Sequence, residues 1–401
     1  SKTLVIGVGL GYRFAKESLS YLGLSDKVRL LKLSIPVPIP EELLLSEAEG
    51  KEKIFFVEEG EPVIETLTKS LFFDKGVMVS VAGKGNGYIT KIGELTLEKV
   101  LPGLAKFLGV SYTQPDPPRV ELTPPPRPPA LCPGCPYRAV FYALRRALGK
   151  ARVRPIYNGD IGCYSLGVLP PFQMQDTIVE MGGSIGLANG MSHVVEDQLP
   201  VAIIGDSTFF HAGMPGLANA VYNKAPMLIV VLDNRTTAMT GHQPHPGVGV
   251  TAMGEETMEL DPIKVAKAMG VEYAAVTDAF DIKGQEKVFV EAIEYVKRER
   301  KPALIVARGA CILLAIANAR RQAVKYPVYY VDEEACTACG LCYRAFNCPA
   351  ISPKADGKAT IDPLLCTGCG ECVQICPYNA FKPEEEPSEE WLKIMRTAKP
   401  R

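Results

Sequence analysis

The apolar positions of this chain fall into short, unbroken runs separated by amphipathic stretches. TLVIGVG (3–9), KVRLLKLS (27–34) and KIFFVEEG (53–60) read as strands. Residues 12–22, 62–73 and 97–108 carry their apolar positions at helical period, so residues 1–112 are predicted to form a small α/β unit. Farther on, VAIIGD (201–206), MLIVVLDN (227–234) and ALIVARG (303–309) lack polar alternation. That pattern suits strands of a parallel sheet covered on both faces, which places functional loops at the strands' carboxyl ends. Between these regions, TQPDPPRVELTPPPRPPA (113–130) is rich in proline, which removes backbone donors and favours an extended linker. The expected organisation is an α/β domain over 1–112, a linker over 113–130, a parallel-sheet domain over 131–325 and a small cysteine-rich domain over 326–385. Residues 386–401 complete it as a tail, with the acidic stretch from Glu384 read as a solvated cap.

Charge and composition narrow the choices. The formal net charge is −1 and no basic stripe stands out, which gives no reason to invoke nucleic acid. The apolar runs fall well short of the ~20 residues a membrane helix requires. The chain opens on a strand and a glycine turn rather than a charged-then-apolar leader, and a cytoplasmic location is expected. The turn Gly7-Val8-Gly9-Leu10-Gly11 resembles a dinucleotide fingerprint loosely, with Tyr12 where the third glycine belongs, and Gly83–Gly87 lacks the Lys-Ser/Thr pair of a phosphate loop.

Twelve cysteines change the picture, because in a reducing compartment such a set points to metal ligation rather than disulfides. Cys336-x2-Cys339-x2-Cys342-x5-Cys348-Pro349 is followed by Cys366-x2-Cys369-x2-Cys372-x3-Cys376-Pro377. Short spacings let three thiolates converge on one cubane while the fourth cysteine of each run reaches the other cluster. One [4Fe–4S] cluster is therefore assigned to Cys336, Cys339, Cys342 and Cys376, and a second to Cys366, Cys369, Cys372 and Cys348. The first run departs from the usual pattern in having five residues before its last cysteine. A structural zinc site is the alternative, though zinc sites pair two short hooks rather than doubled triplets.

A second constellation is Gly205-Asp206-Ser207, ending one buried strand, with Asp233-Asn234-Arg235-Thr236 ending the next. An Asp and an Asn at adjacent strand ends offer the oxygen ligands that Mg²⁺ demands when it neutralises a diphosphate. The pair resembles the thiamine-diphosphate fingerprint, with Ser207 in place of its last glycine. By that resemblance the metal is held by Asp206, the Asn234 side chain and the Thr236 carbonyl, and Gly205, Asp206, Ser207, Asn234 and Thr236 bind the cofactor.

Four cysteines remain: Cys132 and Cys135 before a helix, Cys163 in the turn Gly159-Asp160-Ile161-Gly162-Cys163, and Cys311 after a strand. Together LCPGCPYR, NGDIGCYSLG, GDSTFFHAG, DNRTTAMTGHQPHPG and the ferredoxin-like tail resemble the large subunit of indolepyruvate:ferredoxin oxidoreductases, within the 2-oxoacid:ferredoxin oxidoreductase superfamily. The resemblance implies α/β architecture throughout the first two domains. A transketolase C-terminal-like domain is followed by a thiamine-diphosphate-binding domain and then by a small α+β ferredoxin domain of bacterial 2[4Fe–4S] type.

It further implies that Cys132, Cys135, Cys163 and Cys311 hold a proximal [4Fe–4S] cluster, making three clusters beside thiamine diphosphate and Mg²⁺. Gly182, Gly183 and Ser184 match the family's segment near the diphosphate, although tight packing of a helix entry explains them equally well. His211, His242 and His245 flank the metal motif and could orient a substrate carboxylate or move protons, or serve structural hydrogen bonds. His211 and His242 are taken as the catalytic candidates.

The implied reaction is oxidative decarboxylation of a 2-oxoacid, by family an aryl pyruvate such as indolepyruvate, to acyl-coenzyme A and CO₂, with electrons leaving through the clusters to ferredoxin. The implied partners are a pyrimidine-binding domain or subunit, which carries the activating glutamate, and a gamma-type subunit, in a hetero-oligomer. Two other classes stay open at this stage. A non-redox thiamine decarboxylase or synthase needs no cubane ligands, and an electron-transferring ferredoxin-like subunit leaves the Mg²⁺ motif idle.

Overall fold

A computed structural model describes residues 1–116, 122–124 and 128–400. The chain divides into two compact units, Ser1–Pro125 and Pro126–Arg401. Within the proline-rich stretch, residues 117–121 and 125–127 lie outside the described residues.

The first unit is a four-stranded parallel sheet in the order β2-β1-β3-β4, from β1 (Thr3–Val8), β2 (Arg29–Leu33), β3 (Lys53–Val57) and β4 (Ser80–Ala82). Helices α1 (Gly11–Tyr21), α2 (Glu41–Ala48), α3 (Val63–Asp74) and α4 (Leu97–Leu108) complete it. Alternate residues of β1 feed opposite cores. Val5 packs with Phe55, Val100 and Leu104, whereas Leu4 and Ile6 pack with Leu44, Ile64 and Phe72.

The second unit is built on six parallel strands in the order β6-β5-β7-β8-β10-β9. They are β5 (Pro155–Gly159), β6 (Thr177–Ile178), β7 (Leu199–Gly205), β8 (Leu228–Asp233), β9 (Tyr273–Asp278) and β10 (Ala303–Arg308). The unbroken apolar runs have the cause the sequence suggested, since both sheet faces are covered. On β7, β8 and β10, Val201, Ile203, Val230 and Ile305 enter the core that contains helix α5 (Pro136–Lys150) and the helix Ile282–Glu299. Ala202, Ile204, Val231 and Leu304 enter the opposite core, with α6 (Gly183–Ser192) and the helix Met214–Tyr222.

The cysteine-rich region consists of two short antiparallel pairs, Tyr329–Val331 with Phe381–Pro383 and Ile351–Pro353 with Ala359–Ile361, and two short helices, Leu341–Arg344 and Glu371–Ile375. It shares its core with the sheet domain, since Phe346, Ile375 and Phe381 belong to the same apolar cluster as Val140, Phe141 and Leu144 of α5. The Gln374 side chain fastens the junction by accepting from the Ile282 amide (2.9 Å) and donating to the Phe280 carbonyl (2.7 Å).

The tail departs from expectation. Residues Glu389–Thr397 form a helix that Ser388 caps, its hydroxyl accepting from the Trp391 amide at 3.2 Å. Trp391 is fully buried and donates to the Gly368 carbonyl (2.9 Å), and the Met395 carbonyl accepts from the Ala310 amide (2.8 Å). This segment is therefore no solvated cap. The acidic composition of its first residues hid Trp391, Ile394 and Met395, which stand at i, i+3 and i+4 on one buried face.

Candidate functional site

The carboxyl ends of β7 and β8 lie side by side, with Gly205 in register with Leu232. Asp206 is buried, and its two oxygens accept from the amides of Ser207 (2.8 Å) and Arg235 (2.9 Å). Asn234 is also buried, its Oδ1 accepting from the Thr236 amide at 3.2 Å. Asp206, Ser207, Asn234 and Thr236 line one cavity of about 480 Å³, together with Tyr137, Cys163 and Met181.

Neighbouring Asp233 is differently committed, to Arg308 Nε (2.6 Å) and the Arg235 amide (3.2 Å). Burial, then the nearby Asp206 charge, pushes the Asp233 carboxyl up to about 6, against the pull of Arg308 and Arg235. Arg235 itself adopts a left-handed backbone (φ 63°), a conformation that costs a non-glycine residue about 1 kcal/mol or more. Its guanidinium anchors the turn on Glu259 at 2.8 Å. A buried carboxylate and amide presented with Thr236 on one wall are the hard oxygen donors that Mg²⁺ accepts. The donor set fits the metal, and Asp233 is held out of it.

Asp160 directly follows β5, the strand that pairs with β7. It is fully buried and accepts from the Tyr164 hydroxyl, from Ser184 Oγ (2.9 Å) and from the Gly182 amide (3.3 Å). Burial raises its carboxyl to about 6, while those three donors pull the other way. Gly182 has φ 94°, and a Cβ there would lie 2.4 Å from that of Ala212, so glycine is required twice over. Ser184 is engaged with Asp160, Gly183 lies at the entry to α6, and of this segment Met181 lines the cavity. No local motif marks Asp160, Tyr137 or Tyr164 for a role at the site, since each is brought there by tertiary approach.

The histidines sort differently from expectation. His211 is exposed on the turn Phe209–Gly213, and His242 sits at φ 64° with a buried, unpartnered Nδ1; neither is among the residues lining the cavity. It is buried His245 that meets the metal motif. Its Nδ1 accepts from the Gly247 amide (3.2 Å), which leaves the neutral ring's proton on Nε2, 3.1 Å from Asp206 Oδ2. The approach is too oblique for a hydrogen bond.

Cys132 and Cys135 form a hook before α5, with the Cys135 amide donating to the Cys132 carbonyl (3.1 Å). Cys163 opens the helical turn Cys163–Val168 on the cavity wall. Cys311 caps the helix Ile312–Arg321, and its amide donates to the Asn234 carbonyl (2.9 Å), which ties it to the metal motif. The four thiols are electrostatic neighbours. Burial raises Cys163 to about 11, with Cys311 and Cys132 adding to the effect, and burial also raises Cys135 and Cys311.

The other eight cysteines gather in two sets. Cys336, Cys339, Cys342 and Cys376 line a cavity of about 340 Å³, and Cys348, Cys366, Cys369 and Cys372 line another of about 350 Å³. Pro133 and Gly134 of the Cys132–Cys135 hook also border the second cavity, and Thr367 Oγ1 donates to the Pro133 carbonyl (3.2 Å). Among the described residues, no three His, Cys, Asp or Glu side chains crowd closely enough to hold a single metal ion. A four-iron cluster takes one thiolate per iron and spreads its ligands around a cube.

The longer spacing in the first run has a visible purpose. In both runs the amide of the fourth cysteine donates to the carbonyl of the third at 3.3 Å, so the extra residues bulge out without disturbing that bond. The bulge buries Phe346 against Tyr142 of α5 (rings 5.7 Å apart, edge-on) and puts Asn347 at φ 53°.

Fold and site thus define a thiamine-diphosphate-binding domain joined to a ferredoxin-type iron–sulfur domain. Residues 160–307 match the family described as thiamine pyrophosphate enzyme, C-terminal TPP binding domain, and residues 359–382 match the 4Fe-4S binding domain. Over nearly all of its length the chain is similar to indolepyruvate oxidoreductase subunits IorA. It is 44% identical to that of Pyrococcus abyssi over 96% of this chain and 61% of the relative, and 38% identical to that of Archaeoglobus fulgidus over 94% and 59%. The chain therefore spans about three-fifths of the length of the curated relatives it matches. Among solved structures, a 2-oxoglutarate:ferredoxin oxidoreductase from Magnetococcus marinus aligns with 46% of this chain and 65% of its own, at 21% identity and a TM-score of 0.39. No helix among the described residues is long and apolar enough to cross a membrane.

Proposed function

We propose that the chain is the thiamine-diphosphate and iron–sulfur portion of a cytoplasmic 2-oxoacid:ferredoxin oxidoreductase that converts an aryl 2-oxoacid such as indolepyruvate, with coenzyme A, to an acyl-coenzyme A and CO₂. The observation that carries this reading is the position of Cys163. It lines the cavity of Asp206 and Asn234 while neighbouring Cys132 and Cys311, so cofactor motif and cysteine set share one wall. A plain decarboxylase has no use for such cysteines, and a plain ferredoxin has none for the Mg²⁺ motif.

Bound thiamine diphosphate would supply the carbanion chemistry by which a 2-oxoacid loses CO₂. The chain's own groups would hold and orient. Asp206, Asn234 and the Thr236 carbonyl take Mg²⁺, with Gly205 and Ser207 beside the cofactor. Gly182 and Ser184, which Asp160 holds, and Gly183 beside them stand behind Met181 on the diphosphate side. Buried His245 lies against the Asp206 carboxylate, its Nε2 3.1 Å from Oδ2. Three [4Fe–4S] clusters fall to the three cysteine sets. These run from Cys163 on the cavity, through the hook that borders the Cys348 set, to exposed Cys339 of the Cys336 set. The substrate class follows the name of the related subunits. A pyrimidine-binding domain, a gamma-type subunit and ferredoxin complete the assembly.

The test is turnover of indolepyruvate and phenylpyruvate with coenzyme A and ferredoxin, measured anaerobically for residues 1–401 alone and then with co-purifying partners. Turnover is expected with the partners and not without them. Full turnover by residues 1–401 alone would contradict a site shared with a pyrimidine-binding domain.

A further inference from the structure

Arg138 is 1% exposed, a costly position for a guanidinium. It projects from α5 three residues after Cys135, and its bonds reach two separate loops. Nη2 donates to the carbonyls of Leu131 (2.5 Å) and Cys132 (3.5 Å), the latter a residue of the hook. Nη1 donates to the carbonyls of Phe346 (3.2 Å) and Asn347, the bulge that precedes Cys348. All four acceptors are backbone carbonyls and Nε has no partner, so no carboxylate is hydrogen-bonded to this charge; the acidic group that feels it is buried Glu371, whose carboxyl burial raises to about 8 against the pull of Arg138. One buried cation thus joins the loops of two different cysteine sets, and the residues it grips on the far side belong to the departure from the usual ferredoxin spacing.

We propose that Arg138 is a positioning residue shared by two iron–sulfur clusters: it fixes the Cys132 hook against the Cys348 loop and places one positive charge between them, raising both reduction potentials together. The inference rests on the cluster assignment proposed above. Cluster potentials respond to net charge and burial, and a fixed cation favours the state with one more electron. Carried by a single rigid group, that influence falls on the Cys132/Cys135/Cys163/Cys311 set and the Cys348/Cys366/Cys369/Cys372 set alike. It leaves the Cys336/Cys339/Cys342/Cys376 set aside.

The experiment is an anaerobic redox titration followed by electron paramagnetic resonance on the cluster-loaded protein, with iron counted in each sample. About twelve irons in the unsubstituted protein, four per cluster, establish the assignment; a lower count there is a failure of the cluster reading and not of Arg138. In Arg138→Met, the two inner potentials are expected to fall together, by roughly the 59 mV that a tenfold loss of one-electron affinity represents. The third stays put, and Arg138→Lys restores most of the fall. A shift of one cluster alone, of all three equally, or of none overturns the proposal. Should Arg138→Met fail to assemble, Arg138→Lys decides, because an ammonium cannot span both loops. Altered magnetic coupling between the two inner clusters, with full iron content, supports the bridge, and unaltered coupling at full iron content overturns it.

Discussion

Replacing Cys163 with alanine is expected to lower the iron content of anaerobically prepared protein from about twelve to about eight, leaving the two ferredoxin-type clusters in place. It should also reduce 2-oxoacid-dependent ferredoxin reduction by roughly a thousandfold or more, equivalent to about 4 kcal/mol of barrier. Cys163 is the cysteine of its set that lines the cavity of Asp206 and Asn234, so in the proposed reading its cluster is the nearest acceptor for electrons released there. The eight cysteines beyond residue 330 line their own cavities and do not depend on it. Iron analysis with paramagnetic resonance reads the first effect and a ferredoxin-coupled assay the second. Twelve irons and an unchanged spectrum in the variant would show that Cys163 holds no cluster.

Asp206→Ala should weaken Mg²⁺-dependent thiamine diphosphate binding by roughly a hundredfold or more, about 3 kcal/mol, while the iron content stays at its full value. Two causes add. The buried carboxylate is the one acidic member of the proposed oxygen set, and without it the diphosphate charge is insufficiently neutralised. The substitution also strands the Ser207 amide, at a cost of about 1–3 kcal/mol for a donor left unpaired, while the Arg235 amide keeps Asp233 as its acceptor. Asp206→Asn separates the two, since an amide oxygen still accepts a hydrogen bond but carries no charge. Calorimetric titration of thiamine diphosphate into each variant is the measurement. Affinity unchanged in Asp206→Asn would remove the charge from the account, and affinity unchanged in both would remove the residue.

What could be read from the sequence was whatever local chemistry or period enforces. VAIIGD and MLIVVLDN announced buried parallel strands because both faces of the sheet are covered, and they carried Asp206 and Asn234 to adjacent ends. The doubled cysteine runs were legible because spacing alone decides which thiols can converge, and the structure gathers the same two sets of four. Contacts that depend on tertiary approach were not legible. Nothing local distinguishes His245 from His211 or His242; the difference lies in a turn that brings His245 to Asp206. Arg138 looked like any helical arginine until the bulge at Phe346 and Asn347, distant in sequence, supplied its acceptors. The tail was misread for a related reason, since charge dominates its composition while Trp391 sits where only the folded chain shows burial. The three-residue strand β4 and helix α2 were too short or too weakly periodic to signal themselves.

The central claim, that thiamine chemistry and cluster reduction are coupled at one site, is tested most directly by a single addition. Indolepyruvate and coenzyme A are added anaerobically, without ferredoxin, to the complete thiamine-loaded complex, and the iron–sulfur signals are followed by freeze-quench paramagnetic resonance. The account predicts that reduced-cluster signals grow as the 2-oxoacid is consumed and that Cys163→Ala abolishes their growth. Release of CO₂ and aldehyde with every cluster still oxidised would contradict it and would mark the site as a non-redox decarboxylase.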